Sequence, residues 1–320
     1  MNPTTTPILF LIFNRPSHTK KVFDAIKIQK PKTLFIAADG PRKDRPGEFE
    51  KCELVKKNVL DAIDWDCDVK LLFRTENLGC GKAVYGAINW FFENVEEGII
   101  LEDDCVPGNS FFYFCEELLN RYRDTEQIMH INGTRFQHTS NFGNKSYYFS
   151  NYIHPYGWAT WRRAWQKYQF DIPVETSEEF KIILKQKFPD VLERHLWETS
   201  FLGMAQNKID TWDTQWNYSI YKSSGFAITP VLNLVSNIGF DDEATHTNEY
   251  TVGIADLSIN TIDTIVHPQK IAVSKAADRH TYKKHYELKI TLFNKLKFKI
   301  GKVLPFVKTA YLRLFLKKDF

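Results

Sequence analysis

Over the first 135 residues, short apolar runs alternate with stretches of helical period, and this alternation constrains the fold more than any other feature of the chain. Residues 8–13, 33–38, 69–73, 98–101 and 128–131 are short, apolar and bounded by polar turns, as strands are. Between them lie helical patterns. Ser17 is placed to cap a helix carrying Val22, Phe23 and Ile26. After Gly81, the residues Ala83, Val84, Ala87, Ile88, Phe91 and Phe92 share one face, and after Asn109 so do Phe111, Phe114, Cys115, Leu118, Leu119 and Tyr122. Strands alternating with helices predict an α/β domain on a mostly parallel sheet.

The rest of the chain reads differently. Residues 136–270 hold an aromatic loop region, a helical stretch over 177–207 and strand-like runs at 226–229 and 232–236. Residues 271–320 form a basic tail. The division expected is therefore 1–135, 136–270 and 271–320. No glycine- or serine-rich linker separates the first two parts, so they are expected to pack closely. With 320 residues, there is ample chain for a sizeable core.

In an open parallel sheet, ligands bind beyond the carboxyl ends of the strands. Four strand ends carry polar groups there: Asn14-Arg15-Pro16, Asp39-Gly40-Pro41-Arg42, Arg74-Thr75-Glu76-Asn77 and Glu102-Asp103-Asp104. Each alone is an ordinary solvated turn. Together at one edge they mark a crevice, most simply for a nucleotide. Three consecutive carboxylates repel one another unless a cation or solvent compensates. Mg²⁺ and Mn²⁺ take oxygen ligands and combine carboxylates with substrate phosphates, so a divalent metal is expected at 102–104. Neighbouring side chains of an extended segment point to opposite faces, so Asp103 and Asp104 do not flank one bond as the carboxyl pair of a glycosidase must.

The Leu101-Glu102-Asp103-Asp104 strand end, followed by Pro107 and the helix bearing Phe111, Phe112, Tyr113 and Phe114, resembles the metal-binding motif of GT-A-fold glycosyltransferases. It is similar to that of N-acetylglucosaminyltransferase I-like enzymes and of bacterial sugar transferases. The likeness covers about residues 7–135, weakens through His246 and does not reach the tail. It implies a GT-A-like α/β fold and a metal-dependent, inverting transferase. Such an enzyme moves a sugar from a nucleotide-diphosphate sugar, with UDP favoured, to a saccharide acceptor. On this resemblance Asp104 would hold Mn²⁺ or Mg²⁺ and Asp103 would lie near the donor ribose or sugar. Asp39 would meet the nucleoside, Arg74 the base or diphosphate, and Asn14 and Arg15 would line the same pocket.

Two later motifs extend the resemblance. Gly157-Trp158-Ala159-Thr160-Trp161-Arg162-Arg163-Ala164-Trp165 reads equally as core, since its tryptophans fall at i, i+3 and i+7, and as the donor-sugar and acceptor side, with Gly157 and Trp158 against the sugar. Asp213, in Thr211-Trp212-Asp213-Thr214-Gln215-Trp216, resembles the residue that takes the acceptor hydroxyl's proton, with Asp210 as the fallback. The competing reading of Asp213 is a helix cap. His246 matches a C-terminal histidine that joins the metal.

Other signals say less. Gly79-Cys80-Gly81-Lys82 lacks the spacing of a phosphate loop and reads as a turn opening a helix, whose amino end could still help a phosphate. Cys52, Cys67, Cys80, Cys105 and Cys115 are odd in number and contain no C-x-x-C pair, so no disulfide framework or four-cysteine zinc site is indicated. No apolar run is long enough to span a bilayer, and the start lacks the basic pattern of a signal peptide, so a cytoplasmic chain is expected.

Charge is unevenly distributed. Residues 288–320 carry nine Lys/Arg against Asp319 alone, which leaves 33 of the 42 bases and 38 of the 39 acids on the remainder. The acidic body argues against nucleic acid as a partner. The tail places Phe306, Val307, Ala310, Tyr311, Leu314 and Phe315 on one helical stripe, and its charge suits an anionic membrane surface and lipid-linked saccharide acceptors.

Two other functions fit the same sheet. A sugar-phosphate nucleotidyltransferase would share the sheet and the metal. It usually opens with a glycine-rich segment after the first strand, where this chain has Asn14-Arg15-Pro16-Ser17. A non-enzymatic, membrane-docked carbohydrate-binding module is the third reading.

Overall fold

The computed structural model describes residues 4–136, 144–173, 177–206, 209–240 and 257–286. The first half contains β1 (Ile8–Ile12), α1 (Pro16–Gln29), β2 (Thr33–Ala38), α2 (Glu48–Asp61), β3 (Asp68–Phe73), α3 (Cys80–Asn94), β4 (Glu97–Glu102), β5 (Cys105–Pro107), α4 (Asn109–Arg121) and β6 (Ile128–Asn132). The second contains β7 (Tyr147–Ser150), β8 (Trp158–Trp161), α5 (Arg162–Trp165), α6 (Glu178–Lys187), α7 (Val191–Ala205), α8 (Asp213–Lys222), β9 (Phe226–Pro230), β10 (Val235–Asn237) and α9 (Lys275–Thr281).

One eight-stranded sheet runs in the order β3-β2-β1-β4-β8-β6-β9-β7. The strands β3, β2, β1 and β4 are parallel, giving the Rossmann-like half that the alternation predicts. β8 then inserts antiparallel between β4 and β6, while β9 pairs parallel with β6 and β7 closes antiparallel on β9. The sheet is thus mixed α/β. β10 and β5 form a separate antiparallel pair that brings Asn237 opposite Cys105, next to the acidic triplet.

Both faces of the sheet are covered, which is why β1 and β2 are apolar at nearly every position rather than alternating. Phe10, Ile36 and Leu101 pack towards α1, α2 and α4. Phe35, Ile100 and Trp158 pack with α3, α5 and α8 on the other face. Pro16 opens α1 and Arg15 is its N-cap residue, so the predicted Ser17 cap does not form; a proline suits this position because no helical N–H is lost there. The helical stretch read over 177–207 is two helices, separated at Pro189, which cannot donate within a helix. The predicted tail helices beyond residue 286 lie outside the described residues. No helix among the described residues is long and apolar enough to cross a membrane.

Candidate functional site

The ends of β1, β2 and β4 and the start of α8 surround one cavity of about 650 Å³. Its walls include Phe13, Arg15, Asp39, Arg42, Arg74 and Asn77 on one side and Tyr156, Asp210, Thr211, Asp213, Asn237 and Phe240 on the other, with Glu102, Asp103 and Asp104 between them. The parallel strands place these groups together because their carboxyl ends share one edge. Seven residues given a site role from sequence therefore meet here: Arg15, Asp39, Arg74, Asp103, Asp104, Asp213 and the fallback Asp210.

At the end of β4, one guanidinium faces three acids. Arg15 Nη2 donates to Asp103 Oδ1 and, at 3.0 Å, to Asp104 Oδ2. Asp103 is 4% exposed, and its Oδ2 has no hydrogen-bond partner. Burial, together with Asp104 and Asp103, pushes the Glu102 carboxyl well above the usual carboxylate range. Burial also raises Asp103 against the pull of Arg15. On Arg15, burial opposes the charge, but Asp103 and Asp104 outweigh it and hold the guanidinium above its ordinary value. One fixed cation is too little for three acids in a partly desolvated setting.

This imbalance, and the orphaned Asp103 oxygen, fit a divalent cation bound at the triplet with further oxygen ligands from a substrate. No group of three or more His, Cys, Asp or Glu side chains among the described residues forms a ready metal site by itself. His246, expected to join the metal, lies outside the described residues.

A second anchor is at the end of β2. Asp39 accepts the Leu78 N–H through both oxygens, at 3.1 and 3.0 Å, and an Asn77 side-chain N–H at 3.0 Å. Burial nonetheless raises its pKa. Asn77 also donates to the Gly40 carbonyl at 2.8 Å, tying the β2 turn to the segment after β3. Arg74 follows β3, and burial lowers its pKa while Asp39 opposes that shift.

Arg42 was not singled out from sequence, yet it lines the cavity. Its guanidinium is paired with buried Glu48 and lies over the Phe13 ring, 5.6 Å from the centroid. Asn14 belongs to this support rather than to the cavity wall, since its amide donates to Glu48 Oε1 at 2.8 Å. The expected pocket role of Asn14 is corrected on that ground. No local signal marks the cluster in the sequence, since Arg42 and Glu48 meet across the turn that precedes α2.

The aromatic motif is also corrected. Trp158 is fully buried, stacked between His130 at 4.8 Å and Trp212 at 5.3 Å, and it packs the sheet against α8. Gly157 is likewise outside the cavity wall, its backbone against Gly133. The reading of these tryptophans as core is realised, but on a strand rather than a helix: Trp158 and Trp161 lie on β8 and pack into the clusters on opposite faces of the sheet.

Asp213 does line the cavity, as the first residue of α8. Its Oδ1 accepts the Thr211 hydroxyl at 2.6 Å and the Thr214 N–H at 2.8 Å, while the N-cap position is Trp212, so the expected Asp213 cap is not the one formed. Asp210, the fallback, closes the amino end of α3 through the N–H groups of Cys80 and Gly81. That helix end already holds an anion from the protein itself, in place of the phosphate suggested by Gly79-Cys80-Gly81-Lys82.

No protein-family model matches the chain, and no curated protein matches it. Among solved structures it is similar to HddC from Yersinia pseudotuberculosis, at 9% identity and a TM-score of 0.31, over 50% of this chain and 78% of that one. It is similar to a 4-diphosphocytidyl-2C-methyl-D-erythritol synthase from Anaerococcus prevotii, at 6% identity and a TM-score of 0.34, over 70% and 88%. It is also similar to a cytidylyltransferase from Leptospira borgpetersenii, at 10% identity and a TM-score of 0.31, over 62% and 74%. Two of these names describe cytidylyl chemistry and none describes a glycosyltransferase; the glycosyltransferase expectation is corrected to that extent and is not carried further. The likeness itself is one of fold.

Proposed function

We propose that this chain is a nucleotidyltransferase that joins a nucleoside monophosphate unit to a sugar phosphate. The observation that carries the reading is the confrontation, in one cavity, of the Glu102-Asp103-Asp104 triplet with Arg15, Arg42 and Arg74. Acids in excess of their one bound guanidinium, with further arginine charge on the same wall, are together what a metal-chelated polyphosphate suits.

In the reaction proposed, a phosphate oxygen of the sugar phosphate attacks the α-phosphorus of a nucleoside triphosphate. A new P–O bond forms, the α–β bridge breaks, and pyrophosphate leaves with the bonding pair. A divalent cation held by Asp104 and Asp103 would neutralise charge on the polyphosphate. Asp39, fixed by Leu78 and Asn77, orients the nucleoside at the β2 end. Arg74 and Arg15 offset charge that accumulates on the departing pyrophosphate. The turn after β1 has no glycine, so its phosphate contact is assigned to the Arg15 side chain rather than to loop N–H groups. Asp213, Tyr156 and Phe240 form the wall left for the second substrate.

The test is pyrophosphate release. The protein is incubated with each common nucleoside triphosphate, Mg²⁺ or Mn²⁺, and a panel of sugar phosphates, with Asp104→Asn in parallel. Release that needs both substrates and is lost in the variant is expected. Release of nucleoside diphosphate from a sugar nucleotide, with no pyrophosphate formed from any triphosphate, overturns the reading.

A further inference from the structure

The geometry points to Arg15 as a resident counter-cation that competes with the divalent cation at the Asp103–Asp104 pair and, once displaced from Asp104, turns to the anionic ligand. This rests on the proposed function only in taking the site to bind a metal together with a phosphate-bearing ligand.

The argument begins with how Arg15 is used. A guanidinium normally meets a carboxylate through two parallel N–H bonds. Here a single nitrogen, Nη2, is shared between two different carboxylates, Asp103 Oδ1 and Asp104 Oδ2. Neither acid is held by the fork, and the second oxygen of Asp103 is left buried and unpartnered. Among the described residues, the other Asp104 oxygen, Oδ1, accepts a weak thiol donor, Cys105 Sγ at 3.3 Å. Arg15 therefore serves these acids as a point charge, the function that a small cation performs better.

The backbone supports an exchange. Arg15 is the N-cap residue of α1, and its carbonyl accepts the Thr19 N–H at 3.0 Å and the Thr19 hydroxyl at 2.8 Å. Its main chain is fixed, so only the side chain has to move. Its side chain is 14% exposed and lines the cavity, with Arg42 and Arg74 on the same wall. A guanidinium released from Asp104 remains in the cavity that Arg42 and Arg74 also line.

Two consequences follow. With no anionic ligand, Arg15 weakens binding of a divalent cation, because the two compete for the same oxygens. With an anionic ligand, Arg15 strengthens the mutual dependence of metal and ligand, because each stabilises the arrangement the other needs. Removal of Arg15 thus has opposite effects on the two measurements, which loss of a merely structural contact does not produce.

The experiment is Mn²⁺ binding to the full chain, followed by the paramagnetic signal of free Mn²⁺, with and without saturating pyrophosphate, for wild type, Arg15→Gln and Arg15→Lys. Arg15→Gln is expected to bind Mn²⁺ alone about tenfold more tightly, while the factor by which pyrophosphate enhances Mn²⁺ binding falls by about tenfold. Arg15→Lys, which keeps a charge without the fork, is expected to lie between. Melting curves report that each variant is folded, and a variant that has unfolded is replaced in the comparison by the other. Weaker Mn²⁺ binding in a folded Arg15→Gln protein, or an unchanged pyrophosphate enhancement, overturns the inference. The measurement involves no turnover, so absence of pyrophosphate release in the activity test leaves it standing, and its failure leaves the activity test decisive.

Discussion

Asp210 caps α3 from 129 residues away: its Oδ1 accepts the Gly81 N–H at 2.8 Å, while its Oδ2 takes the Cys80 N–H at 2.9 Å. A carboxylate there also meets the positive end of the helix dipole. The contact joins the segment before α8 to the parallel half of the sheet and closes one side of the cavity.

The glycine turn is shaped to this carboxylate. A methyl group on Gly81 would lie 2.8 Å from Asp210 Oδ1 and 2.8 Å from the Thr211 carbonyl oxygen, and Gly79 has a positive φ of +81°. Gly81→Ala is expected to destabilise the fold by about 1–3 kcal/mol. Asp210→Ala, which removes the cap but not the fit, is expected to cost about 0.5–2 kcal/mol. Urea denaturation of both variants tests the order; an Asp210→Ala protein as stable as wild type contradicts the capping assignment.

Asp104→Asn and Asp39→Asn should separate the two ends of the cavity. Asp104→Asn removes a charge that the cation needs, so nucleotide affinity in Mn²⁺ should fall by about 100-fold while metal-free affinity changes little. Asp39→Asn replaces an acceptor by a donor opposite the Leu78 N–H and should weaken nucleotide binding equally with and without metal. Calorimetric titration of each variant distinguishes these patterns.

Trp158 was a sugar-side candidate that the fold places in the core. Trp158→Phe should lower stability by about 1–3 kcal/mol through the volume lost between His130 and Trp212. Ligand affinity should stay within about twofold, since the ring does not reach the cavity. A drop in affinity with no loss of stability would return Trp158 to the ligand.

A second cluster of buried charges predicts how stability depends on pH. Asp278 accepts the Ser150 hydroxyl at 2.6 Å and the Asn151 N–H at 3.1 Å, docking α9 onto β7, and burial raises its pKa to about 6. Glu193 accepts the Tyr152 hydroxyl, and burial raises it to about 7. Burial lowers Lys187 to about 8, against the pull of Asp278. A raised acid binds its proton more tightly when folded, so stability falls as pH rises from the unfolded value to the folded one: 3.8 to about 6 for Asp278 and 4.5 to about 7 for Glu193. A lowered lysine gives the opposite slope, with stability rising from about 8 towards 10.5. These groups therefore put a shallow minimum between pH 7 and 8. Asp278→Asn and Glu193→Gln should each flatten the descent on the acid side, measured as melting temperature against pH relative to wild type.

Much of the parallel half was legible in the sequence. The strands at 33–38 and 128–131, the apolar face after Gly81 and the acidic triplet are all carried by neighbours along the chain, and local period reports them directly. Asp39, Arg74 and Asp104 could be assigned to one edge because parallel strands always present their carboxyl ends together.

What stayed hidden depends on partners distant in sequence. The insertion of β8 between β4 and β6 is set by pairing of Ile99 with Ala159 and of Ile131 with Ala159, which no local pattern encodes. The same pairing buries Trp158, although its spacing fitted core and ligand wall equally well. Asp210 read as a fallback base until the fold supplied the Cys80 and Gly81 N–H groups, and no local motif marked Glu48 as the partner of Arg42. The sequence by itself determined most elements of the parallel half and where charge collects, because these follow from backbone preference and side-chain period, whereas β7 and β8 read as an aromatic loop. Only the tertiary structure decided which acids face the cavity, which are caps and which arginine neutralises them, because a buried charge is satisfied by whatever distant group packing places within a few ångströms of it.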